Sequence, residues 1–321
     1  MTEHSTVTRM APGEANAQID EALQGWAMST AAPTSAVERP FDVLFVHGMA
    51  SGGWMWSQEW LKQFTDAGYR TWTITLPGRE RGSTLATDPD ALDRALSLAF
   101  QQGNPEAALD ALMAATPGAQ LFDGPSLDDF ANAIEDSISQ IGRPTAIVCH
   151  SLGGAAAQVL LRRGKAPAAT VLLASVPPYG LWRASMEMAV FNPALFFALW
   201  DFSLAGINPQ NMDVMRANLF PNGITTRDFN ALVPQLTDES LRAMSEAMGF
   251  PPFAPLPIPR DDVLVVGGSR DRFIPLQDLY ATALYYGGLP KVISGAGHLM
   301  MQEALAPETA DAILGYLNKR S

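Results

Sequence analysis

Cysteine is almost absent: Cys149 is the only one in 321 residues, so no intramolecular disulfide can form and nothing points to an oxidising compartment. Positive charge is also scarce. Twenty-one Lys and Arg face 33 Asp and Glu, a net charge of -12 whose field repels polyanions, so neither nucleic acid nor an anionic membrane surface is expected as a partner. No segment approaches the roughly 18 consecutive apolar residues of a membrane span. Met1 to Ala11 lacks the basic start and apolar run of a secretory signal, and a soluble, cytoplasmic protein is the resulting expectation. Neither Gly-x-x-x-x-Gly-Lys-Ser/Thr nor His-Glu-x-x-His occurs, so no metal, nucleotide or flavin cofactor is expected.

What is present is apolar and regular. At 47% hydrophobic and 17% charged, the chain can bury one large core, with length left for a sizeable insertion. Apolar runs at Asp42 to Val46, Thr71 to Leu76, Thr145 to Cys149, Thr170 to Val176, Val263 to Gly267 and Lys291 to Ile293 alternate with helical patterns. Among the helices are Trp54 to Ala67, Leu127 to Ile141 with Ser126 as N-cap, and about Glu308 to Asn318. Strands apolar on both faces, alternating with helices, predict an α/β fold: a mostly parallel sheet with helices on both faces.

The flanks and interruptions organise the rest. Ala15 to Met28 has the spacing of an amphipathic helix, Ala31 to Pro40 that of a linker, and residues 1–40 are read as an N-terminal extension. Residues 83–125 form an insertion with helical patterns at Ala91 to Phe100 and Pro105 to Met113. Residues 178–259, rich in aromatics and methionine, form a helical cap inserted after the sixth strand; 41–177 and 260–321 make the core. A cap between strands of a parallel sheet sits over their C-terminal ends, where ligands bind, so Trp182, Phe196 and Trp200 are the expected substrate-binding residues.

The strongest local signal is Thr145 to Gly154. A β-branched run drives into Ser151, flanked by glycines and followed by Ala155-Ala156-Ala157, which predicts a strand, a tight turn and a helix with one hydroxyl at the apex. The helix start aims free N–H groups and a positive dipole end at that hydroxyl. Cys149 stands where such elbows usually carry glycine and is read as packing, since it and His150 point to opposite faces of the strand. A serine nucleophile needs a base. Of the four histidines, His4 lies in a polar tail, His47 precedes a glycine at a strand end, and His150 faces away from the serine; His298, on a glycine-rich loop after the last short strand, remains. Asp271, at the end of the Val263 to Gly267 strand, is the carboxylate that would orient it, and Ser151, Asp271, His298 is the chain order of one scaffold in particular.

With Val46-His47-Gly48-Met49, Leu76-Pro77-Gly78-Arg79, Gly267 to Asp271 and Gly297-His298, the chain resembles the α/β-hydrolase fold superfamily from about Phe41 to Leu317. The resemblance implies a capped, esterase- or lipase-like serine hydrolase, with the backbone N–H groups of Met49 and Leu152 forming an oxyanion hole. Two departures stand out: Cys149 replaces the elbow glycine, and no opening β-hairpin is visible before Phe41. The expected reaction is cleavage of a hydrophobic small-molecule ester or lactone through an acyl-enzyme on Ser151. A carbon–carbon bond hydrolase or thioesterase could use the same groups, the former taking its substrate acid on Arg183, Arg216 or Arg227. A non-catalytic small-molecule receptor is the reading from outside enzymology. The aromatic cap also offers a surface on which two copies could pair as a homodimer.

Overall fold

The computed structural model describes residues 7–8, 28–35, 37–79, 124–237 and 239–321. Most of the Ala15 to Met28 helix and the helical patterns within 83–125 therefore lie outside the described residues. Within them the strands are β1 (Val7–Thr8), β2 (Met28–Ala31), β3 (Asp42–Val46), β4 (Thr71–Ile74), β5 (Thr145–His150), β6 (Thr170–Leu173), β7 (Val263–Gly268) and β8 (Lys291–Ile293). The helices that cover them are α1 (Gln58–Asp66), α2 (Leu127–Ile141), α3 (Leu152–Arg162), α9 (Leu276–Tyr285) and α10 (Ala306–Leu317). Between β6 and β7 the chain forms α4 (Trp182–Phe191), α5 (Pro193–Ala205), α6 (Pro209–Leu219), α7 (Thr226–Leu232) and α8 (Leu241–Ala247).

One sheet holds all eight of these strands in the order β1-β2-β4-β3-β5-β6-β7-β8. Every pairing is parallel except β2 with β4, so seven strands form the body and the two-residue β1 extends its edge. The chain runs from β3 outward to β4, then crosses back to β5 on the other side of β3. Strand order thus reverses between β3 and β5, and the crevice outside their C-terminal ends is where ligands bind in open sheets of this kind.

The continuous apolar runs are explained by cover on both faces. Val43 and Phe45 of β3 join Trp60, Phe64, Ile313 and Leu317 from α1 and α10 in one cluster. Leu44 and Val46 join Phe130, Ile134, Ala155 and Leu279 from α2, α3 and α9 in the other. Helix α2 has the predicted bounds for local reasons. The Ser126 hydroxyl accepts from Asp129 N while the Asp129 carboxylate accepts from Ser126 N, and Gly142 closes the helix in the left-handed region at φ 67°.

The N-terminal expectation is corrected at Met28. Instead of ending a helix, Met28–Ala31 pairs antiparallel with β4, and the burial of Met28 and Thr30 alternates with partial exposure of Ser29 and Ala31. Four residues are too few for a period of two to register against the helical spacing upstream, and the edge of β4 supplied what the sequence did not display.

Candidate active site

Ser151 follows β5 and precedes α3 with φ 50° and ψ -116°, a conformation that L-residues avoid. It is held there from both sides: Ser151 N donates to Leu173 O at 3.0 Å, and Ser151 O accepts from Gly154 N at 2.9 Å and Val176 N at 3.2 Å. The turn is tight enough to dictate composition. A Cβ on Gly153 would stand 2.3 Å from His47 O, and one on Gly48 would stand 2.8 Å from both His150 Nδ1 and Ser151 Cβ. Cys149 is fully buried in the cluster beneath α2 and α3, and burial raises its thiol pKa well above the ordinary value.

His298 lies on the loop after β8, and the loops around it interlock. Ser269 N donates to Ile293 O at 3.0 Å and Arg270 N to Ala296 O at 2.9 Å, which brings Asp271 alongside the imidazole. His298 Nε2 stands 3.1 Å from Ser151 Oγ. His298 Nδ1 stands 2.8 Å from Asp271 Oδ2. A carboxylate only accepts, so Nδ1 carries the proton and Nε2 is left to accept from the serine hydroxyl. The other Asp271 oxygen accepts from Phe273 N at 2.8 Å and Ile274 N at 3.0 Å, which locks the carboxylate in the turn leading to α9. His298 and Asp271 are buried, whereas Ser151 keeps partial exposure.

The imidazole packs against two rings, Phe273 and His150, each with its centroid 4.8 Å away. His150, set aside on strand geometry, reaches His298 through the backbone: its Nε2 donates to His298 O at 3.0 Å. Burial, reinforced by the neighbouring His298, depresses its pKa well below the usual value and keeps it neutral. His47 is likewise neutral, its pKa lowered to about 3 by burial first and the Arg79 charge second. It ties two loops together, accepting from Leu76 N at 2.9 Å and donating from Nδ1 to Gly48 O at 2.8 Å.

The two expected oxyanion donors lie on the crevice. Met49 sits in the turn after β3, and Leu152 opens α3, where the first N–H groups of a helix have no intrahelical acceptor. Sequence reasoning missed two supports of these loops. Glu303 accepts from Gly297 N at 3.2 Å and from Asn222 Nδ2 at 2.7 Å, and Glu239 accepts from Ala50 N at 2.9 Å. Asn222 and Ala50 come from distant parts of the chain, 81 residues from Glu303 and 189 from Glu239, so neither contact carries a local signal.

The aromatic residues expected to bind substrate all lie on the first two helices of the β6–β7 insertion. Trp182 and Trp200 are 45% and 59% exposed, and Phe196 packs edge-on against Phe197. A cavity of about 370 Å³ beside Asp271 is lined by Met188, Phe191, Asn192, Asn218, Arg272 and Pro275, among others. Phe202, Phe220, Phe229, Met212 and Met215 of the β6–β7 insertion are buried in the same apolar cluster as Phe45 and Trp60, so the insertion packs onto the core rather than standing apart from it. Among the described residues, no group of three His, Cys, Asp or Glu side chains is placed to hold a metal ion, and no helix is long and apolar enough to cross a membrane.

The sequence model of the alpha/beta hydrolase family matches residues 43–312, and the chain belongs to that family. Solved structures agree on the fold. MenH from S. aureus superposes with a TM-score of 0.57 at 19% identity, covering 91% of this chain and 98% of its own. The N-acyl homoserine lactonase AidH, complexed with N-butanoyl homoserine, gives 0.60 at 18% identity over 95% and 96% of the two chains. A thermophilic esterase from Thermogutta terrifontis gives 0.56 at 17% identity over 92% and 94%. At these identities the likeness is one of fold. No curated protein matches the chain.

Proposed function

We propose that the protein hydrolyses a carboxylic ester or lactone of a hydrophobic small molecule through an acyl-enzyme on Ser151. The observation that carries the reading is the unbroken relay from Ser151 Oγ to His298 Nε2 at 3.1 Å and from His298 Nδ1 to Asp271 Oδ2 at 2.8 Å. His298 takes the hydroxyl proton as Oγ attacks the carbonyl, and the Met49 and Leu152 N–H groups receive the developing oxyanion. The imidazolium, steadied by Asp271, protonates the leaving alkoxide. Water, deprotonated by the same imidazole, then releases the acid and restores the serine.

The five helices between β6 and β7 act in this reading as a cap spanning residues 178–259, over a core of 41–177 and 260–321. The cavity beside Asp271 sets Met188 and Phe191 among the polar Glu187, Asn192, Asn218 and Arg272, so the apolar substrate of this reading rests on the aromatic and methionine content of residues 178–259. The carbon–carbon hydrolase alternative loses two of its candidate acid-binding groups. Arg183 is committed to Asp278 and Glu187, and Arg216 lies over the Phe229 ring and donates to Ile224 O.

The test is a panel of p-nitrophenyl esters, thioesters and acyl lactones assayed beside fluorophosphonate labelling. Wild type should label at Ser151 and turn over esters or lactones, and Ser151→Ala should abolish both. Undiminished ester cleavage by Ser151→Ala would remove the basis of the reading, and tight ligand binding without turnover would favour a receptor.

A further inference from the structure

The loop carrying Met49 does not hold its shape by itself. Ala50 has φ 53°, in the left-handed region that a side chain disfavours, and both of its peptide groups are clasped from outside the loop. Ala50 N donates to Glu239 Oε2 at 2.9 Å, and Ala50 O accepts from Thr237 N at 3.0 Å. The peptide plane joining Met49 to Ala50 is thereby fixed, and the Met49 N–H lies one residue upstream.

Glu239 is well made for this. Its second oxygen accepts from Ser240 N at 2.7 Å and pairs with the Arg79 guanidinium, and the two charged side chains are only 0% and 1% exposed. Arg79 lies in turn over the Phe130 ring of α2, with its guanidinium carbon 5.4 Å from the centroid. A buried, paired carboxylate makes a charge-assisted bond to a backbone N–H, stiffer than a neutral acceptor would make. The adjoining Ser240 caps α8, accepting from Ala243 N at 3.2 Å, and donates to Pro125 O at 2.6 Å, so the latch is itself anchored.

Building on the acyl-enzyme reading, we infer that Glu239 is a positioning residue for the oxyanion hole: by holding the Ala50 N–H it aims the Met49 N–H at the developing oxyanion. The latch sits within the helical insertion, between α7 and α8, so the seating of that insertion and the alignment of the oxyanion donor are mechanically linked. A donor to an oxyanion is effective only when preorganised, and small misplacement is costly in rate rather than in ground-state binding.

Two double variants separate this role from mere stabilisation by the ion pair. Arg79→Met with Glu239→Gln and Arg79→Met with Glu239→Leu both remove the charge pair, but only the first keeps an acceptor for Ala50 N–H. The Leu form should lose about tenfold or more in kcat relative to the Gln form, with KM nearly unchanged, and should bind a boronic acid transition-state analogue correspondingly less tightly. Equal kcat and equal boronate affinity in the two folded variants would overturn the inference. If neither variant folds, amide hydrogen exchange on wild type decides: the Ala50 N–H should be strongly protected, and exchange at open-loop rates would overturn the latch. Failure of the hydrolase reading is distinct, since it would appear as wild-type protein that fluorophosphonate leaves unlabelled at Ser151.

Discussion

The ring of His150 donates to the backbone oxygen of His298 at 3.0 Å, across a sequence separation of 148 residues. The residue before the proposed nucleophile therefore holds the main chain of the proposed base. Replacing His150 with Phe keeps a ring beside the imidazole but removes the donor and leaves a buried carbonyl unsatisfied. Such a loss costs about 1–3 kcal/mol. The expected outcome in steady-state ester hydrolysis is a fall in kcat of about tenfold with little change in KM, alongside a lower unfolding midpoint. Wild-type kcat in His150→Phe would show that His298 needs no such support.

The buried histidines also set an acid limit on stability. His47 and His150 titrate lower in the folded chain than in the unfolded chain, where the imidazole pKa is about 6.5, so below that value the unfolded state binds more protons. Their stabilising effect is complete above pH 6.5 and is lost as pH falls toward the folded value, about 3 for His47. Linkage arithmetic gives a loss of ~2 kcal/mol for His47 by pH 5, and His150 adds to it in the same direction. Urea denaturation at pH 7.5, 6.5, 5.8 and 5.0 should show a flat stretch followed by decline. A stability unchanged between pH 6.5 and 5.0 would contradict neutral burial of both rings.

The start of α4 is tied to the core by another buried carboxylate. Asp278, in the first turn of α9, accepts from Arg183 Nε at 2.6 Å and from the Tyr179 hydroxyl, while Arg183 also reaches Glu187 at 2.7 Å. Arg183→Met would leave the Asp278 charge buried with the Tyr179 hydroxyl beside it, a loss of about 3 kcal/mol. Asp278→Asn should cost less, because Arg183 is one-third exposed and can turn to water or Glu187. Urea unfolding of the two variants checks the order. If Asp278→Asn proves the more damaging, the buried charge is not what makes this contact costly to break.

How much was legible in advance depended on how local each cause is. Ser126 as a cap and Gly142 as a stop are written within one helix length, so α2 has its predicted bounds. The elbow around Ser151 was legible because close packing admits glycine at 153, and because a β-branched run must precede it. His298 and Asp271 could be named by elimination and order, and their meeting at 2.8 Å follows from β7 and β8 lying side by side. Strand β2 was not legible: four residues with a weak alternation acquire their state from the free edge of β4. Glu239 and His150 were not legible either, since the acceptor or donor role of each exists only toward backbone that folding brings near.

The sequence by itself determined the alternation of apolar strands and amphipathic helices, and the presence of one serine at a turn too tight for any side chain at position 153. Those properties are set by sterics and hydrophobic periodicity over a few residues. Tertiary structure alone decided which side chains secure the loops: His150 on the His298 carbonyl and Glu239 on the Ala50 amide. A backbone amide or carbonyl is the same in every residue. Which one a buried polar side chain will satisfy is fixed only when the sheet order has put both in the same crevice.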